Sequence, residues 1–90
     1  MPVHLTGRLI CRTEAEAAIV RTHLPEHIRL TRQEPGCALF EVRPASPLVW
    51  EVSERFSDRA AFDRHQARTR ASAWGKASAG IRRDFRIRHD

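Results

Sequence analysis

Residues 37–56 read CALFEVRPASPLVWEVSERF, and this stretch near the middle of the chain decides the fold. Apolar and polar side chains alternate over residues 37–43 and again over residues 48–56, which is typical of two half-buried strands. The two prolines of the intervening segment 44–47 predict a short turn. We therefore expect a pair of adjacent strands joined by a tight connection.

A helix is predicted before this strand pair. Thr13 and Glu16 have the spacing of a capping box, in which each side chain binds the other residue's backbone amide. The helix is expected to end at residues 34–36, and to be kinked or broken at about residues 21–25 because Pro25 has no amide hydrogen. Its apolar stripe consists of Ala17, Val20, Leu24, Ile28 and Thr31.

A second helix is predicted after the strand pair. Ser57 is its expected N-cap, and Asp58 in the first turn suits the helix dipole. Gly75 is its expected end, and residues 77–82 show no clear pattern. The residues expected on its inner face are Ala61, Phe62, His65, Thr69, Ser72 and Ala73.

Strands are also predicted at both ends of the chain, over residues 3–12 and 83–89. The resulting order β-α-β-β-α-β is the split-βαβ, ferredoxin-like arrangement of the α+β class. It consists of a four-stranded antiparallel sheet with both helices on one face. With 90 residues, the chain is expected to form a single domain over residues 1–90.

The two helices can cover only one face of this sheet, yet apolar residues are expected on both faces. Adjacent apolar residues that would point to opposite faces are Leu9 and Ile10, Leu39 and Phe40, and Val49 and Trp50. Large exposed apolar patches are rare on soluble monomers, and a two-fold contact buries such a patch on both copies. We therefore expect a homodimer that packs through the sheet faces.

The chain has 16 basic and 11 acidic residues, for a formal charge of +5. The basic residues are concentrated in residues 64–90, which carry eight basic and two acidic side chains. A basic end raises nucleic-acid binding as a hypothesis. However, the arginines are scattered singly, and only six aromatic residues are available for base stacking. A solvated basic face, or one that attracts a small anion, explains the charge better.

No feature of the sequence predicts a membrane or secreted protein. No apolar run approaches the roughly 18 residues of a membrane helix, and the N-terminus lacks an apolar signal core. The two cysteines, Cys11 and Cys37, are too few for a disulfide scaffold and lack zinc-pair spacing. We expect them to be small buried thiols, and we expect a cytoplasmic protein.

Residues 23–27 of the first helix have the pattern His-x-x-Glu-His of a zinc-binding helix. That chemistry requires both imidazoles on one face of an intact helix and a third ligand from elsewhere in the fold. Because Pro25 is expected to distort this helix, His23 and His27 are expected to be solvated at an exposed helix end. No metal site is predicted.

His65 is the candidate catalytic residue. It is expected on the inner face of the second helix, between Phe62 and Thr69. A core histidine with one satisfied nitrogen would show the same pattern, and the sequence leaves this alternative open. Beside a cavity, a neutral imidazole could instead accept a proton from an acidic phenol or enol near neutral pH.

The candidate substrate-binding residues are four aromatic residues and one arginine: Trp50, Trp74, Phe40, Phe62 and Arg68. The aromatic residues suit a flat aromatic ligand, although each is also consistent with core packing. Arg68 lies three residues after His65 and could stabilise an organic anion, or it could belong to a solvated outer face.

Three segments share a pattern with a known family: residues 32–42 (RQEPGCALFEV), 50–56 (WEVSERF) and 58–65 (DRAAFDRH). The Glu-Pro-Gly-Cys turn, the glutamate-bearing strand and the Ala-x-x-x-His helix, in this order, resemble the antibiotic biosynthesis monooxygenase domain. This group of dimeric α+β barrels includes small quinol monooxygenases. The resemblance covers nearly the whole chain and implies a homodimer with packed sheets and a ligand cavity in each subunit.

Several members of this family oxidise phenols or quinols with O2 and without a metal or flavin. The resemblance therefore implies no cofactor, a small aromatic substrate and O2 as partners, and His65 as the proton acceptor, since it matches the family's helix histidine. The chain has no Asn and no Tyr. The residue sets of the haem-degrading and aromatic-polyketide types therefore cannot be assembled here.

Two functions follow as hypotheses. The first is a cofactor-independent monooxygenase that oxidises a quinol or another electron-rich phenol. The second is a non-catalytic dimeric module that binds a small aromatic or anionic ligand. Its ligand would stabilise such a module without being turned over.

Overall fold

The structure, a computed structural model, describes residues 1–89. Its elements follow the order β1 (Val3–Ile10), α1 (Glu14–Arg32), β2 (Cys37–Ser46), β3 (Val49–Phe56), α2 (Arg59–Ala71), α3 (Ala73–Ala77) and β4 (Arg82–His89). The strands form one antiparallel sheet in the order β2-β3-β1-β4. The ferredoxin-like prediction is confirmed, and the short helix α3 is an addition to it.

The strand pair in the middle of the chain is longer than predicted. β2 continues to Ser46, through most of the segment 44–47 that was expected to be a turn. An irregularity in the pairing between Pro44 and Ser46 accommodates the extra residue Ala45. Because β2 lies at the edge of the sheet, a proline that donates no hydrogen bond is tolerated there.

α1 is continuous through Pro25, so the helix is not broken at residues 21–25. The helix packs on the sheet along its whole length, and this packing outweighs the single backbone hydrogen bond that the proline removes. Its buried residues recur at alternating intervals of three and four and are Ala17, Val20, Leu24, His27 and Thr31.

The start of α1 confirms half of the predicted capping box. The Thr13 hydroxyl accepts a hydrogen bond from the Glu16 amide at 3.2 Å. The Glu16 carboxylate, however, accepts from the amide of Arg12 at 2.7 Å rather than from that of Thr13. The helix nevertheless begins where the pattern predicts.

The boundaries of the second helix differ from the prediction. The N-cap of α2 is Asp58, not Ser57, because the Asp58 carboxylate accepts the Ala61 amide at 2.8 Å. α2 ends at Ala71, where Ser72 leaves the helical conformation and caps α3. Gly75 therefore lies inside α3 rather than at the end of α2.

The core lies between the helices and one face of the sheet. Core side chains contributed by the strands include Val3, Leu5, Leu9, Trp50, Val52 and Phe56. Each alternates with a residue on the opposite face, as the strand patterns predict. Within residues 1–89, no helix combines the length and apolar character needed to cross a membrane.

The opposite face of the sheet is largely polar, which corrects the expectation of an open apolar face. Its large apolar side chains, among the residues described, are Ile10, Leu39 and Val49. One row across the four strands consists of Arg43, Glu51, Arg8 and Asp84. In each of the three adjacent apolar pairs named above, the two residues do lie on opposite faces of the sheet. Charged residues, however, occupy most of the other positions on the outer face.

Candidate active site

His65 lies on the inner face of α2 and is almost fully buried, with 2% of its surface exposed. Its ring stacks on Phe56 with 4.8 Å between ring centroids and contacts the edge of Phe40 at 5.6 Å. Its Nδ1 atom is 3.0 Å from Oε1 of Glu34. Aromatic packing and one hydrogen bond thus hold the imidazole in a single orientation.

Glu34 reaches His65 from the loop that follows α1. This loop contacts the start of α2 closely, and a Cβ atom at Gly36 would lie only 2.6 Å from that of Ala61. Gly36 also has a φ of +86°, which side chains other than glycine's rarely allow. The Ser57 amide donates to the Gly36 carbonyl at 2.8 Å. The glycine therefore permits the approach that brings Glu34 to α2.

Arg68 holds the Glu34 carboxylate in place. Its Nε atom donates to Glu34 Oε1 at 2.8 Å, and its Nη2 atom donates to the Thr31 hydroxyl at 2.9 Å. That hydroxyl donates in turn to the His27 carbonyl at 2.7 Å. Because the carboxylate accepts from both Arg68 and His65, we assign the imidazole proton to Nδ1, which leaves a lone pair on Nε2.

Glu54 projects from β3 towards the other side of His65. Its Oε1 atom is 3.6 Å from His65 Nε2, too far for a hydrogen bond, and this oxygen has no partner among the residues described. Burial, followed by the negative charge of Glu34, raises the pKa of Glu54 to about 8. Glu54 is therefore protonated at neutral pH.

The protonation state of His65 results from two opposing effects. Burial lowers its pKa, whereas the hydrogen bond and negative charge of Glu34 raise it by a smaller amount. The net direction is downward. At neutral pH the site therefore holds a neutral imidazole between a carboxylate and a carboxylic acid.

A cavity of about 50 Å³ lies between the helices and the sheet at this position. One water molecule needs roughly 10–15 Å³, so the space exceeds that of a single water, yet it is smaller than the roughly 300–1,000 Å³ of most ligand pockets. Its apolar wall includes Leu24, Phe40, Val52, Trp74 and Phe85. Its polar wall consists of His27, Glu54, His65, Gln66, Thr69 and Arg83.

The residues predicted from the sequence occupy different places relative to this cavity. His65, Phe40 and Trp74 line it. Arg68 lies behind Glu34 and holds that carboxylate. Phe62 is in the core, where it packs against Phe56 with ring centroids 5.8 Å apart. Trp50 is likewise a core residue, and neither Phe62 nor Trp50 is among the lining residues of the described chain.

His27 corrects the prediction of two solvated histidines. It is 5% exposed, and its ring lies 5.4 Å from Phe40, 5.6 Å from His65 and 5.8 Å from Trp74. Burial, followed by the charges of His65, Arg68 and Arg83, lowers its pKa to about 3. His23, one turn earlier, is half-buried. Within residues 1–89, no group of three or more metal-binding side chains is placed to hold an ion.

Local spacing alone could have identified two site residues that were not predicted, His27 and Glu54. Position 27 continues the spacing of the buried residues 17, 20 and 24 of α1, which identifies it as inward-facing. Glu54 falls on the same side of β3 as Trp50 and Val52, because side chains two apart share a face. No local pattern indicated the role of Glu34, since its partner His65 is 31 residues away.

Solved structures with the same fold include three bacterial proteins. Rv0793 from Mycobacterium tuberculosis has a TM-score of 0.76 and 22% identity, covering 100% of this chain and 95% of that chain. NE2512 from Nitrosomonas europaea, of unknown function, has a TM-score of 0.77 and 19% identity. The match covers 96% of this chain and 85% of that chain. SnoaB from Streptomyces nogalater, a cofactor-independent oxygenase, has a TM-score of 0.75 and 14% identity. The match covers 99% of this chain and 92% of that chain.

At these identities the three structures show the fold alone. No curated protein sequence matches the chain. A family model described as antibiotic biosynthesis monooxygenase matches residues 2–77, which is most of the chain. The protein therefore belongs to the antibiotic biosynthesis monooxygenase family.

Proposed function

We propose that this protein is a cofactor-independent monooxygenase that oxidises a quinol or another electron-rich phenol with O2. One observation carries the proposal. A buried imidazole with a carboxylate on Nδ1 lines a cavity, and its Nε2 is 3.6 Å from Oε1 of a protonated carboxyl group, an oxygen with no partner among the described residues. Carboxylate–imidazole pairs of this kind are typical of general bases.

The two groups at the cavity can hold one substrate hydroxyl between them. Because His65 Nε2 and Glu54 Oε1 are 3.6 Å apart, an oxygen atom can lie within hydrogen-bond distance, about 2.8 Å, of both. The hydroxyl would donate its proton to Nε2, and the Glu54 carboxylic acid would donate to the oxygen as negative charge develops on it. The dry surroundings strengthen both interactions.

The resulting phenolate is a stronger electron donor than the phenol, and it transfers electrons to O2. With a quinol, a ring carbon forms a bond to one oxygen atom, the C–H and O–O bonds break, and the second oxygen atom leaves as water. The substrate supplies all four electrons and becomes a hydroxyquinone. The protein's contribution is to deprotonate, orient and desolvate the substrate.

The small cavity excludes larger organic ligands. At about 50 Å³ it is well below the size of pockets that take them, and benzene itself occupies a cavity of roughly 150 Å³, so binding of a single ring requires the cavity walls to move apart. Its lining combines Phe40, Trp74 and aliphatic side chains with a few polar groups, which is the composition expected of a site for a small aromatic ligand.

Oxygen consumption with a panel of quinols and phenols tests the proposal. His65→Asn is the informative variant, because its side-chain amide can still donate to Glu34 but has no equivalent of Nε2. We expect the rate to fall at least about 100-fold. His89→Asn, at the far end of β4, is the matched control and should keep the rate. Glu34→Gln should also lower the rate, since it weakens the base.

Three outcomes would contradict this function: no oxygen consumption with any compound, a His65→Asn variant that remains as active, or activity that depends equally on His89. Thermal stabilisation by the same compounds without oxygen consumption would instead support the non-catalytic binding module.

We further propose that two copies pair through the polar face of the sheet. The row Arg43, Glu51, Arg8 and Asp84 alternates in charge from one edge of the sheet to the other. A two-fold axis parallel to the strands places this row against its reversed copy. Arg8 then faces the partner's Glu51, and Arg43 faces the partner's Asp84, so every charge meets its opposite.

Light scattering tests this pairing. Arg8→Glu should dissociate the dimer, because it would place like charges opposite each other, and adding Glu51→Arg to the same chain should restore it. A wild-type protein that remains monomeric at micromolar concentration would refute the pairing without affecting the assignment of His65.

A further inference from the structure

His27 is a second buried imidazole at the cavity, and the mechanism above does not use it. It comes from α1, whereas His65 comes from α2, and the two ring centroids are 5.6 Å apart. The ring stacks on Trp74 and contacts the edge of Phe40. Both aromatic residues also line the cavity. His27 thus lies next to His65, the proposed base, and lines the same cavity.

Three buried side-chain atoms in the described part of the chain have no hydrogen-bond partner among the protein's own groups. They are His27 Nδ1, Glu54 Oε1 and Thr69 Oγ1. All three residues line the same cavity. Buried polar atoms are nearly always paired in folded proteins, because an unpaired one costs free energy. Their concentration around one cavity indicates a site prepared for a ligand that carries several polar groups.

The chemistry of His27 restricts what that ligand group can be. Burial and neighbouring positive charges keep the imidazole neutral, so one ring nitrogen donates a hydrogen bond and the other accepts. A hydroxyl group matches either tautomer, since it can both donate and accept. Thr69 presents another hydroxyl, and Glu54 in its acid form is also uncharged. The unpartnered groups are therefore all neutral and suit hydroxyl groups better than a metal ion or a second carboxylate.

The two imidazoles are neighbours at one cavity. Their ring centroids are 5.6 Å apart, and both residues line the cavity together with Glu54. In the proposed binding mode, one substrate hydroxyl lies between His65 and Glu54 and a second lies near His27.

We propose that His27 is a specificity-determining residue that binds a second hydroxyl of the substrate through Nδ1, so that the site selects dihydroxylated single-ring aromatics over monohydric phenols. The inference deepens the proposed function and rests on it for the position of the first hydroxyl. His27 positions the ring, and the proton is transferred at His65.

Calorimetric binding without oxygen tests the inference separately from turnover. The probes are catechol, resorcinol and hydroquinone, each compared with its monomethyl ether, and phenol. We expect the wild-type protein to bind at least one diol about tenfold or more tightly than its ether. His27→Phe should keep the ring packing and abolish this preference. His27→Asn, whose amide can lie near the position of Nδ1, should restore part of it.

His23→Phe is the matched control, because it lies one turn earlier on α1 and outside the lining of this cavity. It should keep the full preference for the diol. Equal binding of diol and ether by the wild-type protein would overturn the role of His27 without any variant, and if His27→Phe fails to fold, loss of the preference in His27→Leu tests the same point.

The possible results separate this inference from the proposed function. Failure to bind any diol, equal binding of diol and ether, or a preference that survives in His27→Phe would overturn the role of His27. A preference that depends on His27 without any oxygen consumption in air would refute the oxygenase activity and leave the binding role intact.

Discussion

At the scale of single residues, the most consequential side chain is Glu54. It occupies an inward position of β3 that its neighbours Val52 and Phe56 fill with apolar groups. A carboxyl group there is disfavoured in its charged form, and Glu34 nearby adds to that effect. In its acid form Glu54 can donate a hydrogen bond at neutral pH, which an exposed, ionised glutamate cannot do.

This donor role predicts a limit to activity at high pH. As the pH rises through about 8, Glu54 loses its proton, repels a developing phenolate and no longer donates to it, so kcat/KM should fall. Glu54→Gln should remove this alkaline decline, because an amide donates a hydrogen bond at every pH. Steady-state rates between pH 6 and 10 measure the effect, with Glu26→Gln on the exposed side of α1 as control. An alkaline decline that persists in Glu54→Gln would contradict the assignment.

At the scale of elements, the site depends on how α1 and α2 are placed on the sheet. α1 delivers His27 and, through the loop after it, Glu34. α2 delivers His65 and Arg68, and its start is fixed by a hydrogen bond from the Ala61 amide to Asp58. The contact of Gly36 with Ala61 joins the two elements. A change at the start of α2 should therefore affect both stability and the site.

Asp58→Ala should destabilise the protein by about 1 kcal/mol, because the first turn of α2 loses its cap and a favourable negative charge. Urea denaturation measures the change in the free energy of unfolding. Ser57→Ala is the matched control: it tests the neighbouring residue that the sequence favoured, and it should have a much smaller effect. A larger loss in Ser57→Ala than in Asp58→Ala would show that the cap is assigned to the wrong residue.

At the scale of the whole molecule, the three buried titratable side chains of the site make stability depend on pH. Glu54 binds a proton up to about pH 8 when folded but only up to about pH 4.5 when unfolded. Unfolding therefore releases a proton, and stability falls as the pH rises through this window. His27 has the opposite sign: its pKa is about 3 when folded and 6.5 when unfolded, so stability falls as the pH drops below 6.5.

These opposing effects predict a maximum in stability near pH 6.5. Above it Glu54 is the only one of these three groups that contributes, and stability should decline by at most about 1.4 kcal/mol per pH unit up to about pH 8. Between pH 4.5 and 6.5, His27 and the lowered pKa of His65 oppose Glu54. Urea denaturation from pH 5 to 9 measures the profile. Glu54→Gln should abolish the decline above pH 6.5, and an unchanged slope in that variant would refute the explanation.

The sequence by itself determined the element order, the faces of the strands and the inward position of His65. Each of these depends on local periodicity: side chains two apart share a face of a strand, and those three or four apart share a face of a helix. The same rules, applied strictly, also place His27 and Glu54 inward. The expectation of a kinked or broken α1 led away from His27, because a proline has a strong local effect, yet the packed helix stays continuous through Pro25.

Only the tertiary structure decided which side chains meet and in what charge state. Glu34 joins His65 across 31 residues and Arg68 across 34, through a loop contact that no local pattern encodes. The neutral state of His27 and the proton on Glu54 depend on burial and on charges brought near by different elements. Local periodicity places a residue on a face, whereas the packing of one element on another determines its partner, its solvation and therefore its chemistry.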